Sequence, residues 1–224
     1  MKFFIAIVIG LFSITAGAWE VEAGVGTAQA GMPPDGQYWQ QPFSHQFQMQ
    51  GQAASLGVTD TFTAWSQSIR WRVYGLYLGK FSGSANAVQD ERYDHRSATG
   101  CTSVGCGEFG VYNTELTTRG VVASLAPEFN AAGITVSPEF GVHCYIPKFD
   151  ETVYDPTRPS TTLRYYHYKG GLNCSPMWGA GVAYGSVRVS LKQYVIDQVN
   201  RGEGEVLPPN IANLVTVVAA EMRF

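Results

Sequence analysis

Neighbouring residues differ in kind along much of this chain, and the clearest case is its last segment. Counting back from Phe224, Met222, Ala220, Val218, Thr216 and Leu214 share one parity, and Arg223, Glu221, Ala219, Val217 and Val215 the other. Period two marks a strand with two unlike faces. Ile69, Trp71, Val73, Gly75, Tyr77 and Phe81 alternate in the same way with Arg70, Arg72, Tyr74, Leu76 and Lys80. Trp19, Val21, Ala23, Val25 and Thr27 alternate with Glu20, Glu22, Gly24 and Gly26, and Val187, Val189 and Leu191 with Arg188, Ser190 and Lys192. Carried along the chain, the pattern predicts strands over 18–28, 47–58, 69–81, 108–125, 133–145 and 174–184, a seventh starting at Val187 and an eighth ending on Phe224. Pro138 falls inside the fifth and predicts a bulge or a local break, because proline removes a ladder hydrogen bond.

The connections alternate in length. A polar segment around Pro33 to Gly36, the stretch 82–107, the stretch 146–173 and a Gly- and Pro-containing segment before the last strand are long. Thr59-Asp60-Thr61, the residues around 127–131 and Gly185-Ser186 are short. Short turns on one side and long loops on the other are the habit of bacterial membrane barrels. The expected fold is all-β: an eight-stranded antiparallel transmembrane β-barrel with long extracellular loops and short periplasmic turns.

In such a barrel the apolar parity faces lipid and the ionised parity faces inward. The inward set then comprises Glu20, Glu22, Glu115, Glu139 and Glu221 against Arg70, Arg72, Arg119, Arg188, Lys192 and Arg223. Eight strands leave room for little besides side chains, so these charges should pair across a filled lumen. The alternative for any one of them is a solvated position near a rim.

The N-terminus changes the picture by adding export. Lys2, an apolar run to Ile14 and the small residues up to Ala18 have the layout of a signal peptide over 1–18, leaving 19–224 as the barrel. Charged residues make up 15% of the chain, against about 25% in ordinary soluble domains, and the formal charge is −3, which gives no reason to expect nucleic acid. The four cysteines, Cys101, Cys106, Cys144 and Cys174, suit an oxidising compartment. Cys144 and Cys174 have the outward phase at the outer ends of neighbouring strands and should pair there, and Cys101 with Cys106 should pinch the second loop. No CxxC spacing favours zinc, and neither metal nor cofactor is expected.

The segments Trp19 to Gly26, Gly179 to Tyr184 and Glu221 to Phe224 resemble the small eight-stranded outer-membrane proteins of the OmpA/OmpX group, which includes Ail/Lom-like adhesion and resistance proteins. The resemblance spans nearly the whole exported chain. It implies the outer membrane of a Gram-negative bacterium, a terminal Phe224 read by the barrel-assembly machinery, and roles in adhesion or resistance; a monomer is expected because a small closed barrel has no edge that demands a partner.

Arg158, Arg164, Tyr165, Tyr166, His167, Tyr168 and Lys169 interleave bases with aromatics in the third loop, a composition that suits lipopolysaccharide phosphates, sugars or a host surface ligand. The expected function is therefore non-enzymatic surface binding by disulfide-stapled external loops. The alternative is a lipid A-modifying deacylase or acyltransferase, which needs a histidine beside a hydroxyl and an acid. His143 is the histidine with inward phase, and no His-x-Ser accompanies it. A larger omptin-type protease would need acid pairs that the sequence does not show, and a soluble lipocalin-like barrel would need its apolar parity inside.

Overall fold

A computed structural model of the chain describes residues 19–30, 45–46, 50–88, 109–155, 158–196 and 214–224. The strands are β1 (Glu20–Ala30), β2 (His45–Gln46), β3 (Gln50–Ala64), β4 (Gln67–Val88), β5 (Phe109–Pro127), β6 (Phe129–Ala131), β7 (Ile134–Asp155), β8 (Arg158–Lys169), β9 (Asn173–Tyr184), β10 (Val187–Val195) and β11 (Leu214–Arg223). Eight of them close an antiparallel ring in the order β1-β3-β4-β5-β7-β9-β10-β11, with β11 returning to β1. Closure runs to the last residue, for Phe224 N–H donates to Val21 O at 2.9 Å and Val21 N–H to Phe224 O at 3.3 Å. A closed ring pairs the backbone without an edge, which hydrocarbon demands.

The parity of the strands is inverted relative to a soluble barrel. Val25, Leu56, Phe140, Val189 and Phe224 are 68, 63, 61, 55 and 73% exposed, respectively, whereas Arg72, Arg188, Lys192, Glu139 and Glu221 are buried. Large aliphatic side chains cover the outside because lipid, not water, is the neighbour there. On β7 the outward apolar positions run from Ile134 to Ile146. At about 3.3 Å per residue and a tilt near 40° this run is about 30 Å tall, the thickness of a hydrocarbon core.

Several elements differ from the sequence reading. The first short turn is at Trp65 and Ser66, with φ of 49° and 63°, and Thr59 to Thr61 continue the β3–β4 ladder. Positive φ at both central residues matches the twist of a tight hairpin, a role that Trp-Ser does not advertise. The stretch 146–173 is mostly strand: β7 runs on to Asp155 and turns back as β8. Pro138 keeps its place opposite Ala180 on β9. On its other side the ladder lapses between the β5 and β6 pairings, and the shared register sets Pro138 opposite Pro127. Two residues without N–H thus coincide where the expected break occurs. The segment expected to be a signal peptide lies outside the described residues.

Above the band the ring is lopsided. The outer ends of β4, β5 and β7 continue as paired strands, joined by β8 on one side and β2 on the other. This raised sheet stands over one half of the barrel wall.

Candidate functional site

The lumen holds a charge network. Arg188 binds Glu221 at 2.6 Å and Glu139 at 2.9 Å; Lys192 binds Glu221 at 2.7 Å and Glu139 at 3.5 Å. Arg72 reaches Glu22 at 3.2 Å and Glu139 at 3.6 Å. Ser124 and Ser190 donate to Glu139 and Glu221, and Tyr74 meets Tyr194 at 3.1 Å. Toward the rim that carries the short turns, Arg70 holds Glu20 and Glu128, and Arg223 holds Glu20. Three bases face three acids in the buried group and two face two at the rim, so neither is left with net charge. Such a group costs desolvation energy but is tolerable when every partner is present. Glu128 is a member that the parity argument missed, because it sits in the short turn between β5 and β6 where alternation lapses.

Glu115 and Arg119 are not lumen residues. The inward face of β5 carries Leu116, Thr118, Val122 and Ser124, and Glu115 and Arg119 face outward above Val121. The rule that apolar means outward fails there, since this part of β5 has left the hydrocarbon. Lys80 and Phe81 also exchange faces relative to expectation: Phe81 is buried and Lys80 is exposed. The register slips between Tyr77 and Lys80, where Leu78 and Gly79 together oppose Thr118 and Gly79 takes a φ of 90°. A bulge of this kind shifts the phase of everything beyond it.

These displaced charges join the candidate site. Cross-strand partners share a face, and the registers set Lys80, Thr117, Lys148 and Lys169 in one row across β4, β5, β7 and β8. The row beneath holds Tyr77, Arg119 and Ile146; the row above holds Ser82, Glu115, Asp150 and His167. The Arg119 guanidinium lies 5.7 Å from the centre of the Tyr77 ring. Lys80 pairs with Glu115 at 2.5 Å.

Asp150 is the hub at the β7–β8 end. It accepts from Lys148 Nζ at 2.8 Å and from Tyr165 OH at 3.1 Å, and it meets His167 Nδ1 at 2.5 Å. Partial burial works to raise its pKa, but the hydrogen bonds from Lys148, His167 and Tyr165 outweigh that and hold the carboxyl down at about 2. The same contacts raise Lys148 and Tyr165. The sequence reading overlooked Asp150, because its β8 partners are 15 and 17 residues away and meet it only across the hairpin.

Of the other sequence candidates, Arg158, Tyr165, His167 and Lys169 are exposed on β8. For Arg164, Tyr166 and Tyr168 the side chains lie outside the described set. Cys144 and Cys174 face each other across the β7–β9 ladder and form a disulfide with Cα atoms 4.0 Å apart. Cys101 and Cys106 lie outside the described residues. Among those described, no cluster of His, Cys, Asp and Glu could hold a metal ion. His143 is fully buried in the lumen, its ring stacked on Tyr145 at 4.9 Å and edge-on to Tyr194 at 5.3 Å. Neither of its ring nitrogens has a hydrogen-bond partner, so no acid orients it as a base.

Together these features define a class: a closed eight-stranded antiparallel barrel with a lipid-facing exterior, an ion-paired interior and a charged sheet above one side. No family model matches the chain, and no curated protein matches it by sequence. Comparison with solved structures finds distant similarities. Ail, the attachment invasion locus protein of Yersinia pestis, is 11% identical with a TM-score of 0.43, over 92% of this chain and 98% of that one. Ail in complex with the heparin analogue sucrose octasulfate gives 11%, a TM-score of 0.41, and 92% and 99%. Neisserial surface protein A gives 12%, a TM-score of 0.44, and 93% and 97%.

Proposed function

We propose that this chain is a non-enzymatic outer-membrane barrel of a Gram-negative bacterium, exported by a signal peptide over 1–18, whose raised sheet binds anionic glycans at the cell surface in adhesion or resistance. The observation that carries this reading is the row of Lys80, Lys148 and Lys169 above the lipid band, with Tyr165 and His167 alongside. Strands lie about 4.8 Å apart, so the row presents ammonium groups at intervals of one and two strands. That spacing suits a polymer bearing repeated sulfate or phosphate groups, and Tyr165 adds an aromatic surface for sugar rings. The buried ionic lumen gives a rigid base. A single closed ring needs no partner, which favours a monomer, and Phe224, at the seam of the ring, is the residue that the assembly machinery would read.

The test uses the full barrel in nanodiscs over an immobilised sulfated glycosaminoglycan and over its desulfated form. The barrel should be retained by the sulfated polymer alone, and K148Q/K169Q should weaken retention about tenfold, equivalent to about 1.4 kcal/mol. Equal retention on both polymers, or an unaffected double variant, would overturn the reading.

A further inference from the structure

The ladder between β3 and β4 ends at Ala54 and Tyr77, although β3 stays paired with β1 up to Gln50 and β4 stays paired with β5 to Val88. Past that point the regular ladder stops, but the bulged Gly79 stays packed against the backbone of Gly51 and Gln52. A methyl group on Gly79 would come within 2.7 Å of Gln52 O, so only glycine permits this approach. A cleft of about 600 Å³ lies here, at the outer rim of β1, β3 and β4. That size falls within the range of small-ligand sites, roughly 300–1,000 Å³.

Its lining changes character with height. Val25, Leu56 and Val73 lie just below it on the lipid-facing wall. Gln29, Gln50 and Gln52 line the cleft, with Tyr77 and Lys80 on the opposite side. Elsewhere in the barrel glutamine amides are tied down: Gln67 donates to Ser68 O, and Gln193 accepts from the Trp178 indole. Among the described residues, the amides of Gln29, Gln50 and Gln52 have no such partner. Lys80 gives one of its three N–H groups to Glu115, leaving two. The Arg119 guanidinium stands beside the Tyr77 ring.

We propose that this cleft binds the phosphorylated-sugar head of an outer-leaflet glycolipid, with its acyl chains lying against Val25 and Leu56. An amide donates and accepts, so three of them match the mixed needs of ring hydroxyls. Lys80 and Arg119 supply the cations for phosphate, and the Tyr77 face accepts a sugar ring. A glycerophospholipid offers the phosphate but no sugar ring, and it would leave the exposed amides to solvent. The proposal rests on the barrel being seated in an outer membrane, and its site shares Lys80 with the lysine row but neither Lys148 nor Lys169.

Native mass spectrometry of the detergent-solubilised full barrel, titrated with purified lipopolysaccharide, tests it. One lipopolysaccharide should be retained per barrel, dephosphorylated lipopolysaccharide should bind several-fold more weakly, and phosphatidylglycerol should not compete. Q29L/Q50L/Q52L should weaken binding at least about tenfold and should leave glycosaminoglycan retention unchanged. T27W, which fills the cleft from β1, should do the same and decides the matter if the triple variant loses its heat-shifted gel band. Competition by phosphatidylglycerol at equal concentration, or wild-type binding by T27W, would overturn the proposal. A wild-type barrel that neither shows a heat shift nor floats with vesicles would instead sink the membrane seating itself.

Discussion

Glu139 shows what a single buried side chain does here. It is fully buried and serves Arg72, Arg188, Lys192 and Ser124 at once. Its removal leaves three buried cations with one fewer counter-charge, shielded from bulk solvent. E139Q keeps the shape and removes the charge. Urea titration of the barrel in vesicles should show a loss of about 3–5 kcal/mol, the usual cost of breaking a buried pair from one side. A loss below about 1 kcal/mol would mean that water reaches the network. The pairing was legible in the sequence at Arg72, Arg188, Lys192 and Glu221, where regular alternation fixes the face. It was not legible at Lys80 and Phe81, because a bulge at Gly79 leaves no trace in period-two counting. Nor was it at Glu115 and Arg119, where the outside has ceased to be lipid and polar residues belong there.

Among the elements, the β7–β8 hairpin departs furthest from its sequence reading. Charge and tyrosine obscure the alternation of 146–173, and the segment looks like a loop until the register of Lys148 to Asp155 against β8 is seen. Its dependence on Asp150 has a pH signature. An unfolded aspartate titrates near 3.8 and this one near 2, so its stabilising contribution is complete above about pH 4 and is lost as the pH falls toward 2. Hydrogen exchange at the amides of Asp150 and His167 should therefore lose protection over that interval, beyond the intrinsic change in exchange rate. D150N should show weak protection throughout and no step. A step of the same size in D150N would assign the effect to another group.

At the scale of the whole molecule, the exterior decides where the barrel sits. Trp71 and Trp178 lie on the lipid-facing wall, while Trp65 is 95% exposed in the turn at one end. In single-tryptophan variants reconstituted in vesicles, brominated acyl chains should quench Trp71 and Trp178 strongly and Trp65 little. Equal quenching at all three would contradict the seating. This level was the most legible in the sequence, because the inversion of inside and outside repeats in strand after strand. The cleft was the least legible, since it depends on three strands meeting at one bulge.

The lopsided wall has a consequence for how such a chain can change. The long strands that rise above the bilayer, β4, β5, β7 and β8, follow one another in sequence but for the short β6, while the seam that completes the cylinder joins β1 to β11. Lengthening or trimming a rising hairpin by matched pairs of residues preserves which way each side chain points and leaves that seam untouched. The part that meets the outside world is therefore free to vary in steps of one rung, on a foundation that stays the same.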